Sequence, residues 1–327
     1  MFSVNLDKES KTALTHVVEN KFSHQVQVTV NEVSKALLGK DHQIRLALCC
    51  LFSGGHLLIE DLPGMGKTTL SYALAKALHL KYNRIQFTSD LLPADILGIS
   101  IFDQKSSEFN FHPGPIFSQL VLADEINRIT PKTQSALLEA MEERQVTVEG
   151  ETRELPEPFF VIATQNPVSL AGTYPLPESQ LDRFLMRLRI GYPDQRAERE
   201  LFEMNTERDK VEGIKQCLST EEVAEFRRQS AEVKASESLL DYVQRLINFT
   251  RGKDEFHFGL SPRGSLSIMR AAKTWALMCG RNHVVPEDVQ TILPPVVEHR
   301  LRASTDEDGH TGASLVQRLL NEVDVIE

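Results

Sequence analysis

The segment Asp61–Thr69, with the sequence DLPGMGKTT, constrains this chain more than any other part of it. It follows the short apolar run His56–Glu60, which predicts a strand, and it precedes a periodic pattern that predicts a helix. A glycine-rich turn between a strand and a helix lets backbone N–H groups surround phosphate oxygens, and the helix N-terminus adds a partial positive charge. The segment therefore predicts a phosphate-binding loop.

Each residue type in this loop has a chemical use in binding a nucleotide. The pattern predicts that Lys67 reaches the β- and γ-phosphates and that Thr68 binds Mg²⁺. The residues assigned to the nucleotide are Pro63, Gly64, Met65, Gly66, Lys67, Thr68 and Thr69. The general pattern G-x-x-x-x-G-K-[ST] begins with glycine, whereas this chain has Asp61 there. That position mostly shapes the turn, so the remaining residues PGMGKT still predict nucleotide binding.

Two carboxylates follow a later apolar run, Leu120–Ala123. Asp124 and Glu125 would be costly to fold at the end of a buried strand unless they meet cations or water. Beside a phosphate loop, Asp124 would hold Mg²⁺, largely through water, and Glu125 would be the general base that polarises the attacking water. The alternative is an exposed strand end with ordinary solvated acids. The phosphate loop earlier in the chain favours the metal and base roles.

An amide residue follows the next strand candidate, Phe159–Ala163. At the tip of that strand, Asn166 could orient the lytic water against the γ-phosphate. The pair Asn166-Pro167 taken alone indicates a turn, which is a common use of this dipeptide. Because the phosphate loop, the two acids and the amide follow successive strands in order, we predict that Asn166 belongs to the site.

The order of secondary-structure signals predicts two domains. Short apolar runs alternate with helical patterns, which predicts a parallel sheet with helices on both faces. The five strand candidates are His56–Glu60, Arg84–Thr88, Leu120–Ala123, Phe159–Ala163 and Met186–Ile190. Residues 195–327 show almost no strand signal. We therefore predict an α/β nucleotide-binding domain over residues 1–193, beginning with helices, and a smaller helical domain over residues 194–327.

Two β-hairpins are predicted as insertions in the first domain. Ile99–Phe102 and Phe109–His112 flank one polar turn, and Gln145–Val148 and Thr152–Leu155 flank another. Such hairpins can project from a sheet and contact a substrate or partner, or they can be plain surface hairpins. Neither tip interleaves basic and aromatic residues, which argues against threading nucleic acid.

Composition and charge exclude several classes of protein. The chain has 36 Lys and Arg residues against 46 Asp and Glu, a net charge of −10, which argues against a general binder of nucleic acid. No apolar stretch approaches the ~20 residues that span a bilayer. The N-terminus lacks the pattern of a signal peptide, and the four cysteines lack zinc or redox spacing. We therefore expect a cytoplasmic protein without membrane insertion.

The order of phosphate loop, Asp-Glu strand and Asn strand resembles that of AAA+ ATPases. Further motifs resemble the MoxR family of this class closely. They are Pro113–Phe117, Ala123–Arg128, Pro131–Thr147, Leu181–Phe184 and Ser261–Arg263. The likeness covers roughly residues 30–305, and its motifs are specific to the family but not to one member.

The resemblance implies a fold, an assembly and two cofactors. The implied fold is an AAA+ P-loop NTPase with a five-stranded parallel sheet and a smaller all-α lid domain. The implied assembly is a homo-hexamer that binds ATP and Mg²⁺ between two subunits. Leu38-Gly39-Lys40 resembles the segment that contacts adenine through its backbone, so Gly39 and Lys40 are assigned to the nucleotide. A helix end capped by Gly39 is an equal alternative.

The resemblance also implies roles for an amide and two arginines in phosphoryl transfer, which needs cations around spreading negative charge. Asn166 matches the sensor-1 position. Arg183 matches the arginine finger that reaches the neighbour's nucleotide, although it could instead form a surface Asp-Arg ion pair, and Arg187 is the alternative finger. Arg263 matches sensor-2 on the lid of the same subunit, or is merely a helix-start residue beside Ser261, which fits an N-cap followed by proline.

The function that the resemblance implies is an ATPase that remodels or matures a client protein, for instance by cofactor or metal insertion. A separate protein with a von Willebrand factor A domain would be its partner. One alternative is the motor subunit of a metal chelatase-like complex, and another is a nucleic-acid-associated ATPase, which the acidic charge disfavours. A nucleotide switch with negligible turnover is disfavoured by the intact Asp124-Glu125 pair.

Overall fold

The computed structural model describes residues 21–105, 107–166, 172–202, 211–302 and 312–326. Within them the strands are β1 (Leu57–Glu60), β2 (Tyr82–Gln86), β3 (Gly98–Asp103), β4 (Glu108–Pro113), β5 (Leu120–Asp124), β6 (Gln145–Val148), β7 (Glu151–Glu154), β8 (Phe160–Gln165) and β9 (Met186–Leu188). The helices are α1 (Lys21–Ser34), α2 (Asp41–Phe52), α3 (Lys67–Ala77), α4 (Pro93–Leu97), α5 (Pro131–Glu143), α6 (Glu178–Leu181), α7 (Gln195–Phe202), α8 (Thr220–Glu232), α9 (Glu237–Gly252), α10 (Pro262–Met278), α11 (Pro286–Val297) and α12 (Gly312–Glu322).

A five-stranded parallel sheet with the order β2-β5-β8-β1-β9 organises the fold. Strands β5 and β8 are buried along their whole lengths, which explains the apolar runs Leu120–Ala123 and Phe160–Ala163 within them. The parallel five-stranded sheet predicted from the sequence is confirmed. Because β5, β8 and β1 are neighbours and run in the same direction, the segments that follow them meet at one edge of the sheet.

Both predicted hairpins are present as separate antiparallel pairs, β3 with β4 and β6 with β7. The first hairpin exposes large apolar side chains on both of its faces. Ile99, Ile101, Phe102 and Phe109 are between 49% and 70% exposed. The rings of Phe102 and Phe109, which are directly opposite in the register, have centroids 5.2 Å apart. The hairpin therefore carries apolar surface that the described part of its own subunit leaves uncovered.

One hydrophobic core joins the sheet to the helical part of the chain. Buried side chains of α1, α2, α3 and one face of the sheet pack with those of α8 to α12. Arg300, which follows α11, adds a partly buried ion pair, with its Nε 2.7 Å from Asp182 Oδ1. Helix α10 starts as predicted, because Ser261 Oγ accepts from the Gly264 N–H at 3.0 Å and Pro262 takes the first position.

The domain boundary near residue 193 stays a prediction. The last strand ends at Leu188, and beyond it the described residues form helices and one isolated bridge between Lys234 and His283. The helical pattern predicted within residues 1–20 lies outside the described residues, so α1 is the first helix that can be compared. None of the described helices is long and apolar enough to cross a membrane.

Candidate active site

The predicted phosphate loop connects the end of β1 to the start of α3. Gly64 and Gly66 both have φ of +82°, a conformation that residues with a Cβ atom rarely adopt. A Cβ atom on Gly66 would also lie 2.6 Å from Leu37 Cδ1. Asp61, the departure from the general pattern, accepts hydrogen bonds from the N–H of Leu62 at 2.8 Å and of Gly191 at 2.7 Å. It therefore shapes the loop and fastens it to the segment after β9.

Lys67 is a nearly buried cation at the start of α3. Its Nζ lies 3.0 Å from Asn166 Oδ1 and 3.2 Å from the carbonyl oxygen of Leu62, and it also donates to the Asp61 carbonyl. Burial lowers the pKa of Lys67, and the carboxylates of Asp61, Asp124 and Glu125 oppose that shift. Among the described residues, no carboxylate forms an ion pair with Lys67. A buried cation held by neutral oxygens is suited to receive an anion.

Asp124 ends β5 and is only 7% exposed. Its Oδ1 accepts a hydrogen bond from Thr164 Oγ1 at 2.6 Å. Its Oδ2 accepts from Arg84 Nη2 at 2.7 Å and from Arg84 Nε at 3.2 Å. Asp124 is therefore not an ordinary solvated acid, and the alternative of an exposed strand end does not describe it.

Glu125 and Asn166 are joined by a hydrogen bond across the ends of β5 and β8. Asn166 Nδ2 donates to Glu125 Oε1 at 3.0 Å, while its Oδ1 accepts from Lys67 at 3.0 Å. Glu125 has a φ of +61°, which is uncommon outside glycine and turns its side chain out of the strand pattern. Its Oε2 accepts from Gln86 at 3.2 Å and pairs with Arg128 Nε at 2.9 Å. The amide therefore links the loop cation to the candidate base.

These side chains surround a cavity of about 310 Å³. It is lined by Pro63, Gly64, Gly66, Lys67, Thr68, Thr69, Arg84, Gln86, Asp124, Glu125 and Asn166. A smaller cavity of about 80 Å³ lies beside it, and Gly64, Gly66 and Thr69 line both. The smaller one adds Met65, the apolar residues Leu37, Leu38 and Ile190, and Lys40. A cavity that holds the glycine-rich loop and Lys67, beside a largely apolar one, fits a nucleotide with its phosphates in the first and its base in the second.

Gly39 and Lys40 have structural uses beside this smaller cavity. Gly39 has a φ of +67°, and a Cβ atom on it would lie 3.1 Å from that of Ala197. Gly39 itself is not among the cavity-lining residues. Lys40 is buried and its Nζ donates to the Tyr192 carbonyl at 2.6 Å. Gly39 lies in the turn between the end of α1 at Ser34 and the start of α2 at Asp41, so it does not cap a helix end, and an adenine contact by this segment stays a prediction.

The two predicted metal ligands, Thr68 and Asp124, line the larger cavity together. Among the described residues, no group of three or more His, Cys, Asp or Glu side chains is arranged to hold a metal ion. Mg²⁺ usually binds through one or two protein oxygens and completes its shell with waters and substrate phosphates. Thr68 and Asp124 therefore fit a Mg²⁺ ion that is bound together with a nucleotide.

The two arginines predicted to take part in phosphoryl transfer do not line the nucleotide cavity. Arg183 and Arg263 line a third cavity, of about 200 Å³, with Gly54–His56 at the start of β1, whereas the phosphate loop follows the end of β1. Glu142 of α5 pairs with both, lying 3.2 Å from Arg183 Nε through Oε2 and contacting the Arg263 guanidinium through Oε1. The position of Arg263 therefore differs from the expectation that it reaches the nucleotide of its own subunit. The ion pair with Glu142 holds it near the start of β1, whereas the phosphate loop follows the end of β1.

Arg187, the alternative finger, is held inside its own subunit. Its Nη1 lies 3.1 Å from Glu60 Oε2, and its Nη2 lies 3.0 Å from Glu298 Oε1. Its side chain is 15% exposed, against 28% for Arg183. Within the described part of the chain Arg183 has one acidic partner, and it is more exposed than Arg187, which favours it as the residue that meets a neighbouring subunit.

Sequence reasoning missed two members of the site, Arg84 and Gln86 on β2. Gln86 is opposite Asp124 in the register of β2 and β5, and Arg84 is two residues earlier on the same face. Ile85 between them is buried on the other face. This polar-apolar-polar alternation at the end of a strand was the signal that could have found them.

Comparison with known proteins identifies the family. The model of the ATPase family associated with various cellular activities (AAA) matches residues 56–186, and that of an AAA lid domain matches residues 248–319. The chain is 43% identical to the uncharacterized protein YeaC of Bacillus subtilis, over 90% of this chain and 93% of that protein. It is 40% identical to the chaperone MoxR1 of Mycobacterium tuberculosis, over 86% of this chain and 77% of that protein.

A solved structure agrees with these sequence matches. A crystal structure from Cytophaga hutchinsonii, of a protein assigned provisionally as an ATPase, superimposes with a TM-score of 0.84 at 35% identity. The match covers 98% of this chain and all of that one. Together with the phosphate loop, the Asp124-Glu125 pair and the parallel sheet, these similarities show that the chain belongs to the MoxR family of AAA+ ATPases and is an ATP-hydrolysing enzyme.

Proposed function

We propose that this ATPase is a chaperone-like motor, in which ATP hydrolysis beside Lys67 and Glu125 drives the remodelling or maturation of a client protein. The observation that carries the hydrolytic part is the Asn166 amide, which lies 3.0 Å from both the Lys67 ammonium and the Glu125 carboxylate. The name of the similar chaperone MoxR1 supports the remodelling part.

ATP would bind through the phosphate loop. The backbone N–H groups of residues 64–66 and the Lys67 ammonium would surround the β- and γ-phosphates, because this loop opens helix α3. Thr68 and Asp124 would hold Mg²⁺, which supplies positive charge that stabilises the phosphoryl oxygens when it is bound. The apolar residues beside Met65 would cover the base.

Hydrolysis would then use Glu125 as the general base. The oxygen of a water molecule forms a bond to the γ-phosphorus, while the bond from that phosphorus to the bridging oxygen breaks and its electron pair stays on ADP. The proton of the water passes to the Glu125 carboxylate. Asn166 donates a hydrogen bond to the Glu125 carboxylate and accepts one from Lys67. Its amide therefore lies between the base and the phosphates, where it can orient the attacking water.

We infer that the site is completed by a second subunit, as in a homo-hexamer with nucleotide between neighbours. The third cavity is lined by the four arginines Arg144, Arg183, Arg263 and Arg270 and by one acid, Glu142. This surplus of positive charge suits negatively charged phosphates. Because the cavity lies at the start of β1, away from its own phosphate loop, the phosphates it serves would belong to a neighbour. Arg183 would be the arginine finger, and Arg263 would face the same neighbouring nucleotide.

The client and the partner would bind outside the nucleotide site. The exposed apolar side chains of the β3–β4 hairpin, such as Phe102 and Phe109, suit contact with apolar segments of a client. A separate protein with a von Willebrand factor A domain would recruit that client, by analogy with the family. The net charge of −10 makes nucleic acid an unfavourable client.

Lys67→Ala should weaken ATP binding at least tenfold, because the phosphates lose a buried charged donor. Isothermal titration of ATP into the purified chain measures this. Lys76→Ala is the matched control, since Lys76 belongs to the same helix but lines a different cavity. Near-wild-type affinity of Lys67→Ala would show that the phosphates bind elsewhere.

The remodelling role predicts which added component accelerates ATP turnover. A purified protein with a von Willebrand factor A domain, with or without its client, should stimulate the ATPase, because engagement of the partner is coupled to the motor. Duplex DNA should not. Steady-state phosphate release measures both. Stimulation by DNA together with no response to such partners would contradict the chaperone-like role and favour a nucleic-acid motor.

A further inference from the structure

An ion pair inside the nucleotide cavity has no part in the roles assigned so far. Arg84 of β2 donates to Asp124 Oδ2 from Nη2 at 2.7 Å and from Nε at 3.2 Å. The side chain of Asp124 is 10% exposed and that of Arg84 is 46% exposed. Both residues line the same cavity as Lys67 and Thr68. A half-exposed guanidinium therefore neutralises a nearly buried carboxylate, which would otherwise be costly to leave unpaired.

The partner of Arg84 is also the proposed ligand of Mg²⁺. Asp124 Oδ1 already accepts from Thr164 Oγ1, and Oδ2 receives both donors of Arg84. A guanidinium and a divalent cation on one carboxylate repel each other and compete for its oxygens. Asp124 therefore cannot keep its contact with Arg84 and serve a metal ion equally well. A metal ion at this carboxylate would therefore weaken its hold on Arg84.

The cavity offers Arg84 one suitable new partner. Its other acid, Glu125, already accepts from Asn166 and Gln86 and pairs with Arg128. The phosphates proposed to occupy the cavity are anions whose geometry matches the planar fork of a guanidinium. The side chain of Arg84 is half exposed, and its Nη2 also donates to Gln86 Oε1 at 2.7 Å, so a turn toward the phosphates exchanges that bond as well as the pair with Asp124.

We propose that Arg84 exchanges partners during the ATP cycle. It pairs with Asp124 in the nucleotide-free chain, and it releases that carboxylate and binds a phosphate oxygen when ATP and Mg²⁺ are bound. Arg84 thus couples the metal site to the phosphate site. The proposal rests on the proposed function, since it takes the phosphates and Mg²⁺ to lie between Lys67 and Asp124.

Binding of the non-hydrolysable analogue AMP-PNP to the full chain tests this exchange without any turnover. At saturating Mg²⁺, Arg84→Ala should weaken AMP-PNP binding about tenfold, because a charged donor to the phosphates is lost. The affinity for AMP-PNP is then measured over a range of Mg²⁺ concentrations. The Mg²⁺ midpoint, the concentration that gives half of the gain in affinity, should be lower in Arg84→Ala, because Arg84 no longer competes with the metal for Asp124. Isothermal titration measures both quantities.

Two further variants complete the experiment. Arg228→Ala is the matched control, because Arg228 is 60% exposed, pairs with Glu225 and Glu232 on α8, and does not line the cavity. Arg84→Lys keeps the positive charge but loses the fork, so both quantities should shift in the same directions by less. If Arg84→Ala does not fold, as judged by circular dichroism, Arg84→Lys decides the question by the same two readouts.

The outcomes separate this proposal from the proposed function. If Arg84→Ala matches Arg228→Ala in both measurements, the ion pair is only structural and the exchange does not occur. If affinity falls but the Mg²⁺ midpoint is unchanged, Arg84 does not compete at Asp124 and the exchange is likewise overturned. Failure of the proposed site would appear differently, as AMP-PNP binding that Lys67→Ala leaves intact.

Discussion

Arg183→Ala should lower ATP turnover about 10³-fold and leave ATP binding mostly intact. The expected loss is large because a finger stabilises charge that spreads over the γ-phosphate only in the transition state. Binding should persist because Arg183 lines a cavity away from its own phosphate loop and pairs there with Glu142. Steady-state turnover at saturating ATP, with ATP affinity from titration, separates the two effects.

Two neighbouring arginines provide a control variant and a test of the alternative finger. Arg189→Ala should have little effect, because Arg189 is 60% exposed and its Nη2 lies 3.7 Å from Glu298. Arg187→Ala tests the alternative finger. Near-wild-type turnover of Arg183→Ala, with a large loss in Arg187→Ala, would transfer the role to Arg187 in spite of its two ion pairs.

Glu125→Gln should lower turnover at least ~10²-fold while ATP binds and persists. The amide has nearly the same shape as the carboxylate, and its oxygen can still accept the hydrogen bond from Asn166. It cannot accept the proton of the attacking water. A single-turnover experiment should therefore find ATP uncleaved on the protein long after the wild-type chain has converted it to ADP.

The control for this change is Glu143→Gln, which alters an exposed acid on α5 that does not line the nucleotide cavity. It should turn over ATP as the wild-type chain does. Hydrolysis retained by Glu125→Gln would show that another group activates the water. In that case the bond between Asn166 and Glu125 would have a structural use only.

Much of this site could be predicted because it lies at the ends of neighbouring parallel strands. The burial of β5 and β8 on both faces gives each strand a continuous apolar run, so the polar residues Asp124, Glu125 and Asn166 are conspicuous after these runs. The parallel order of β1, β5 and β8 then brings these ends to the phosphate loop. Local patterns were sufficient for this part because each strand positions its own last residues.

The remaining contacts depend on distances in space that no spacing in the sequence encodes. The bond from Thr164 to Asp124 and the ion pair from Arg84 to Asp124 each join different strands. The position of Arg263 depends on how the helical part packs on the sheet, and there Glu142 of α5 fixes it beside Arg183. Motif matching gave Arg263 a role, but the side of the subunit on which it lies is set by tertiary packing.

Mixing two inactive variants tests most directly the central claim that each ATP site is shared between two subunits. Lys67→Ala lacks a working phosphate loop but keeps Arg183, and Arg183→Ala keeps the loop but lacks the finger. Neither should hydrolyse ATP alone. After subunit exchange, with mixed oligomers verified by native mass measurement, some interfaces pair an intact loop with an intact finger, and partial ATP turnover should return. Verified mixed oligomers that stay inactive would contradict the claim, because they would place both residues in the same half of the site.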